Sequence, residues 1–280
     1  MKVIRSTAQL QKTMAQLRAR RKSIGFVPTM GAFHEGHLSL VRKARRENGV
    51  VVVSLFVNPL QFGPHEDFKR YPRNFARDRR LLSGTKVDYL FIPNLRSFYL
   101  AGFQTFVEVT ELSRGLCGKF RSGHFRGVAT VVTKLFNVVR PHRAYFGAKD
   151  YQQVVLIRRM AKDLNFDIGI KILPTVRDQA GLALSSRNAY LSDQNRARAL
   201  AIPYALAWIK KEVRTGKRNL SALRSEVLRR LHQSLDRVDY VEMVEPESLT
   251  PVKRIHGPFV VAVAGWVGKT RLIDNAIIRP

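Results

Sequence analysis

Val50-Val51-Val52-Val53-Ser54-Leu55-Phe56-Val57 is the stretch on which the fold turns. Branched side chains fill a pleated strand well, and a run with almost no polar alternation is a strand covered on both faces. Working outward from it, Ser23–Pro28, Val87–Ile92, Ala144–Phe146 and Ile168–Leu173 are further short apolar segments that read as strands. The intervening segments read as helices. Gly36–Arg46 carries Leu38, Leu40, Val41 and Ala44 at helical spacing, and Asn74–Leu82, Val128–Val139 (stopped by Pro141) and Tyr151–Lys162 follow. Strand and helix in alternation predict an α/β fold, a doubly wound parallel sheet with helices on both faces. Ligands of such a sheet sit beyond the carboxyl ends of its strands.

The texture changes after about Asn188. Asp193–Arg214 and Leu220–Leu235 read as two helices, and Val238–Val244, Phe259–Gly265 and Thr270–Ile277 as strands close enough to pair antiparallel. The expected boundary lies near Leu184–Arg187. It divides a catalytic domain, residues 1–184, from a smaller C-terminal α+β domain, residues 185–280.

The 280 residues, with 45% hydrophobic and 25% charged side chains, have an ordinary globular composition. No apolar run approaches the roughly 20 residues of a membrane helix, so no membrane partner is expected. One cysteine, Cys117, excludes an internal disulfide and a Cys-rich zinc site and suits a reducing, cytoplasmic compartment. Charge is the unusual feature. Forty-nine Lys and Arg against 21 Asp and Glu give +28, which attracts anions of any kind, nucleic acid and phosphorylated small molecules alike. Met1–His34 carries no acid, as a transit peptide would, but Leu10, Met14 and Leu17 at helical spacing ahead of a strand predict a folded segment and no removable leader.

The densest chemical signal is Val27-Pro28-Thr29-Met30-Gly31-Ala32-Phe33-His34-Glu35-Gly36-His37, where a strand ends and a helix begins. Histidines at i and i+3 share one helix face. The helix N-terminus offers free N–H groups and a positive dipole end to an anion, and Gly36 allows close backbone approach. A metal pair and histidines placed only for packing are the rival readings; no nearby Cys or third His completes a metal site.

This stretch resembles the signature of the pantothenate synthetase (pantoate–β-alanine ligase) family, within the wider His-x-Gly-His nucleotidyltransferase superfamily. Further blocks carry the resemblance in register. They are Phe56–Phe62, Glu66-Asp67, Tyr71-Pro72-Arg73, Gly123–Val128, Lys134–Asn137, Phe146–Gln153, Gly181–Asn188 and Arg271–Asn275. The resemblance implies a Rossmann-like catalytic domain and a two-step reaction. Pantoate attacks the α-phosphate of ATP to give pantoyl adenylate and pyrophosphate, and the amine of β-alanine then displaces AMP.

It also implies site residues. Met30, Gly31, Ala32, Phe33, His34, Glu35, Gly36 and His37 match an ATP-binding loop, with His37 at the position of a proton donor; His34 and His37 are read here as phosphate stabilisers. Gly147, Ala148, Lys149 and Asp150 match a second ATP segment, in which Lys149 would neutralise phosphate and Asp150 accept from ribose. Val176 matches an adenine contact, and Leu184, Ser185, Ser186 and Arg187 a segment that closes over the triphosphate. Gln61 and Gln153 match pantoate-binding positions, Gln61 also a β-alanine contact, with Asn58 supporting the same pocket. Asp78 stands where the family places an acid near Mg²⁺. A homodimer is implied as well. Ser122, His142, Arg77 and Leu184 depart from the usual residues (proline, aspartate, an acid and methionine), and Arg77 weakens the metal assignment. Two alternatives are another nucleotidyltransferase of the same superfamily and a basic nucleic-acid-binding protein; no specific nucleic-acid module is visible.

Overall fold

A computed structural model describes all residues, 1–280. In chain order the larger elements begin with β1 (Lys2–Ile4), α1 (Thr7–Ala19), β2 (Ile24–Thr29), α2 (Glu35–Glu47), β3 (Val50–Leu55), α3 (Phe75–Ser83), β4 (Tyr89–Phe91), α4 (Leu95–Phe98), α5 (Leu116–Phe120) and α6 (His124–Val139). They continue with β5 (Arg143–Gly147), α7 (Tyr151–Asp163), β6 (Gly169–Leu173), α8 (Asp193–Ala199), α9 (Ala201–Arg214), α10 (Leu220–His232), β7 (Arg237–Val244), β8 (Phe259–Val267) and β9 (Thr270–Ile278).

The first sheet has six parallel strands in the order β1-β4-β3-β2-β5-β6. The valine run occupies β3, where Val51, Val52 and Val53 are fully buried, as a two-sided strand must be. The chain winds from β2 through β3 and β4 in one direction and through β5 and β6 in the other, so the sheet's direction of winding reverses at β2 and β5. Strand carboxyl ends at such a reversal diverge and leave a crevice for ligand. Thr29, the last residue of β2, is locked there: its Oγ1 donates to Ser54 O at 2.7 Å and accepts from Gly31 N at 3.3 Å.

The second sheet, β7-β8-β9, is antiparallel. It and helices α9 and α10 enclose a separate core of Ile202, Leu206, Ile209, Val227, Leu231, Val261 and Val263.

Two compact units result. One comprises Met1–Thr110, Arg121–Ala148 and Leu156–Pro174; the other comprises Glu111–Phe120, Lys149–Val155 and Thr175–Pro280. The division is therefore not a single cut at 184/185. Residues 111–120 and 149–155 join the C-terminal part because their side chains bond within it: Cys117 Sγ lies 3.1 Å from Tyr240 Oη, and Tyr151 Oη donates to Pro246 O at 3.2 Å.

Two further differences from the sequence reading have local causes. Asp193–Arg214 is two helices, α8 and α9, joined at Leu200. Pro203 has no N–H to continue the first helix's ladder and fits the opening turn of the second. Strand β1 leaves no signal in the sequence, because three residues show no period. None of the helices is long and apolar enough to cross a membrane.

Candidate active site

In the first unit the site grows from the turn after β2. Gly31 at φ +83° and Ala32 at φ +50° take left-handed conformations, which lets two successive backbone N–H groups point the same way. Both meet one carboxylate. Asp78, in α3 and only 2% exposed, accepts from Ala32 N at 2.9 Å and from Phe33 N at 2.8 Å. Asn74 caps α3 by accepting from Arg77 N, which fixes the helix that carries Asp78.

The turn delivers His34 to the N-cap of α2, where its Nδ1 accepts from Gly36 N at 3.2 Å. In the neutral ring the proton therefore resides on Nε2. One turn later His37 stacks on it, with ring centroids 4.1 Å apart and planes inclined by 33°. Phe33 packs edge-on against His37 at 5.4 Å. The shared face expected of the His-x-Gly-His spacing is thus present, at the N-terminus of a thirteen-residue helix. Glu35, on the same turn, pairs with Arg42.

The second component follows β3. Asn58 caps a single 3₁₀ turn, Pro59–Gln61, and is buried. Its Nδ2 donates to Gln61 Oε1 at 3.1 Å and to Gly127 O at 3.0 Å; its Oδ1 accepts from Tyr99 Oη at 2.9 Å and from Leu60 N at 3.3 Å. Burial pushes the Tyr99 phenol well above its ordinary value, so it stays a donor. With Oε1 held by Asn58, the Gln61 carboxamide can turn only its donor end outward. That Nε2 lies 3.0 Å from Met30 Sδ. Met30 thus joins the histidine-bearing loop to Gln61, and the first unit brings Met30–His37 and Gln61 together. Gly127 makes this possible: a Cβ there would lie 2.1 Å from Leu60 O and 2.6 Å from Gln61 N.

The remaining candidates are in the second unit, apart from Gly147 and Ala148 at the end of β5. Lys149 has a side chain 17% exposed, with Nζ 3.7 Å from Asp150 Oδ1, and its carbonyl accepts from Asn275 Nδ2 at 2.9 Å. Of the adjacent glutamines, Gln152 is consumed by structure: it accepts from Cys117 N and donates to Leu112 O and Gly115 O. Gln153 is half-buried. Val176 and Leu184 meet across a hairpin through Leu184 N and Val176 O at 3.0 Å. Arg177 anchors that hairpin to Asp274 in a bidentate pair at 2.6 and 3.0 Å. Ser185 caps the turn Ser186–Tyr190 by accepting from Arg187 N at 3.3 Å.

For magnesium, Asp78 does not fit as a ligand. It is buried, and each of its oxygens is engaged by a backbone N–H. No group of three or more His, Cys, Asp or Glu side chains that could hold a metal ion occurs in the chain. Asp78 is better described as the anchor of the Met30–His34 turn. That role was missed in the sequence because forty-five residues separate Phe33 from its acceptor. His124 enters the sequence reading only within the Gly123–Val128 block and Arg121 not at all, yet His124 Nδ1 lies 2.7 Å from Gln61 O and Arg121 Nη1 lies 3.0 Å from His124 Nε2. A histidine three residues after an arginine at the start of an apolar helix is the signal that could have pointed to them.

Comparison with known proteins follows the same lines. A family model described as pantoate-beta-alanine ligase matches residues 2–277. The chain is 52% identical over 279 residues to the pantothenate synthetase of Thermotoga petrophila, covering 99% of this chain and 100% of that protein. It is 53% identical over 280 residues to that of Thermotoga neapolitana, with the same coverage. Among solved structures, pantothenate synthetase from Thermus thermophilus superposes with a TM-score of 0.95 at 45% identity, covering 100% of both chains. Pantoate-beta-alanine ligase from Francisella tularensis, complexed with beta-gamma ATP and beta-alanine, superposes with a TM-score of 0.80 at 35% identity over 99% of this chain and 97% of that one.

Proposed function

We propose a course for the reaction from one premise: the chain belongs to the pantoate–β-alanine ligase family and is a ligase of that kind. In the first step a carboxylate oxygen of pantoate attacks the α-phosphorus of ATP. A phosphorus–oxygen bond to the pantoyl group forms as the bond to pyrophosphate breaks. In the second, the free amine of β-alanine attacks the acyl carbon, the amide bond forms and AMP departs with the former carboxylate oxygen.

The protein's task is to hold two anions together and to meet charge as it develops. His34 and His37 are assigned to the phosphates, together with the N–H groups at the start of α2. Lys149 adds a positive charge to the same task, and Asp150 accepts from the ribose. Met30–His37, Gly147–Asp150, Val176 and Leu184–Arg187 are the proposed ATP residues. Gln61 and Gln153 are assigned to pantoate, Gln61 also to β-alanine. A carboxamide with only its N–H₂ end outward donates to a carboxylate without adding a charge that would hold the acid back from attack. Magnesium enters as part of the nucleotide substrate. A cytoplasmic homodimer completes the proposal, with no specific nucleic-acid or membrane partner.

The observation that carries this reading is a single loop, Met30–His37, which presents two stacked imidazoles and, through Met30, meets the donor end of Gln61. Incubation with ATP, Mg²⁺, pantoate and β-alanine tests it. AMP should form together with an amide of the two acids. AMP release indifferent to β-alanine, with no amide, would sink it. Light scattering of the purified protein reads the dimer separately.

A further inference from the structure

We infer that Glu66, Arg121 and His124 form a positioning relay that fixes the Gln61 segment, with His124 held as the neutral ring protonated on Nδ1. The inference rests on the substrate role proposed for Gln61. Arg121 is gripped at two points by Glu66, Nε to Oε1 at 2.8 Å and Nη2 to Oε2 at 2.5 Å. Both side chains are largely covered, 14% and 24% exposed. A guanidinium so held cannot rotate away, and it can only donate. Its Nη1 lies 3.0 Å from His124 Nε2, so that nitrogen must carry a lone pair. The ring's proton is thereby sent to Nδ1, 2.7 Å from the Gln61 carbonyl oxygen.

The relay thus turns a charged pair into a directional N–H aimed at the main chain of Gln61, and Arg121 Nη2 approaches the same carbonyl at 3.4 Å. Asn58 holds the side-chain end of Gln61 while His124 holds its backbone end. With Gly127 closing against Leu60 and Gln61, the residue has little freedom left. Entropy lost before substrate arrives need not be lost on binding. Arg121, His124 and Glu66 touch no reacting atom in this scheme and act through Gln61.

Two near-isosteric substitutions separate the halves of the ring. Asparagine places an amide nitrogen where Nδ1 stood; glutamine places an amide oxygen where Nε2 stood. His124→Asn keeps the donor to Gln61 and should hold the KM for pantoate within about threefold. His124→Gln keeps only the acceptor for Arg121 and should raise it by about tenfold, a lost hydrogen bond's worth. The KM for ATP should move less than about twofold in both.

The ring can also be read without any substitution. Nitrogen-15 NMR of histidine-labelled protein at neutral pH should show His124 as the Nδ1–H tautomer. An Nε2–H or cationic ring would overturn the inference, as would Asn and Gln variants that shift pantoate and ATP constants alike. Failure of the wild-type protein to form the amide would instead remove the substrate role of Gln61, and the NMR result would still decide the geometry.

Discussion

Replacing Asp78 with asparagine probes how the turn from Met30 to His34, the proposed nucleotide loop, is held. Two backbone N–H groups, at 2.8 and 2.9 Å, converge on one buried carboxylate. Hydrogen bonds to a charged group contribute about 1.5–3 kcal/mol each, so the pair is worth roughly 3–6 kcal/mol. Against it stands the left-handed Ala32 at φ +50°, a conformation that costs a non-glycine residue about 1–2 kcal/mol. Asparagine keeps one neutral acceptor, worth about 0.5–1.5 kcal/mol, and turns a donor toward the other N–H. What remains roughly equals the strain, and the turn from Met30 to His34 should loosen. The expected result is a loss of about 2–4 kcal/mol in urea unfolding, with a KM for ATP raised about tenfold or more. Adding Ala32→Gly removes the strain and should recover about 1 kcal/mol. The reasoning fails if Asp78→Asn leaves both the urea midpoint and the ATP constant unchanged, or if glycine at position 32 recovers nothing in that background.

Other outcomes are expected. His37→Ala should lower kcat by about 100-fold or more, the scale of losing a positioned electrostatic or proton-transferring group, with the urea midpoint unmoved; a near-normal rate would remove His37 from the chemistry. Gly127→Ala should destabilise by about 1–3 kcal/mol, because its Cβ would meet the Leu60 and Gln61 backbone, which cannot step aside as a flexible side chain could; chemical denaturation together with the pantoate KM reads both effects. Hydrogen bonding to Arg229, with Arg230 nearby, holds the Glu226 carboxyl down to about 2. Its folded value is depressed, so its contribution is present above the ordinary carboxylate range and lost as pH falls toward 2. The difference in urea midpoint between wild type and Glu226→Gln should therefore shrink from about pH 5 to about pH 2, and a constant difference would contradict the assignment.

Much of the fold is legible in the residues themselves, and the reason is local periodicity. The Val50–Leu55 run is buried along nearly its whole length, and the His-x-Gly-His turn sits between β2 and α2 because strand, cap and helix each announce themselves within a few residues. What resisted reading depends on distance along the chain. Asp78 serves Ala32, Tyr99 serves Asn58 across forty-one residues, and His124 serves Gln61 across sixty-three; no spacing rule links them. The same holds for residues 111–120 and 149–155, which pack with a unit whose main body begins at Thr175. Gln152 and Gln153 look alike in sequence, and only the helix register shows that the first is spent on three backbone partners.

The absent side chain at Gly127 also bears on redesign. Enzyme engineers widen a binding cavity by trimming what lines it, yet where α6 meets Leu60 and Gln61 there is nothing left to trim, since main chain already rests on main chain. At the pantoate site proposed for Gln61, room for a bulkier hydroxy acid would have to come from a side chain instead, and Met30, whose thioether meets Gln61 Nε2, is one that can be shortened.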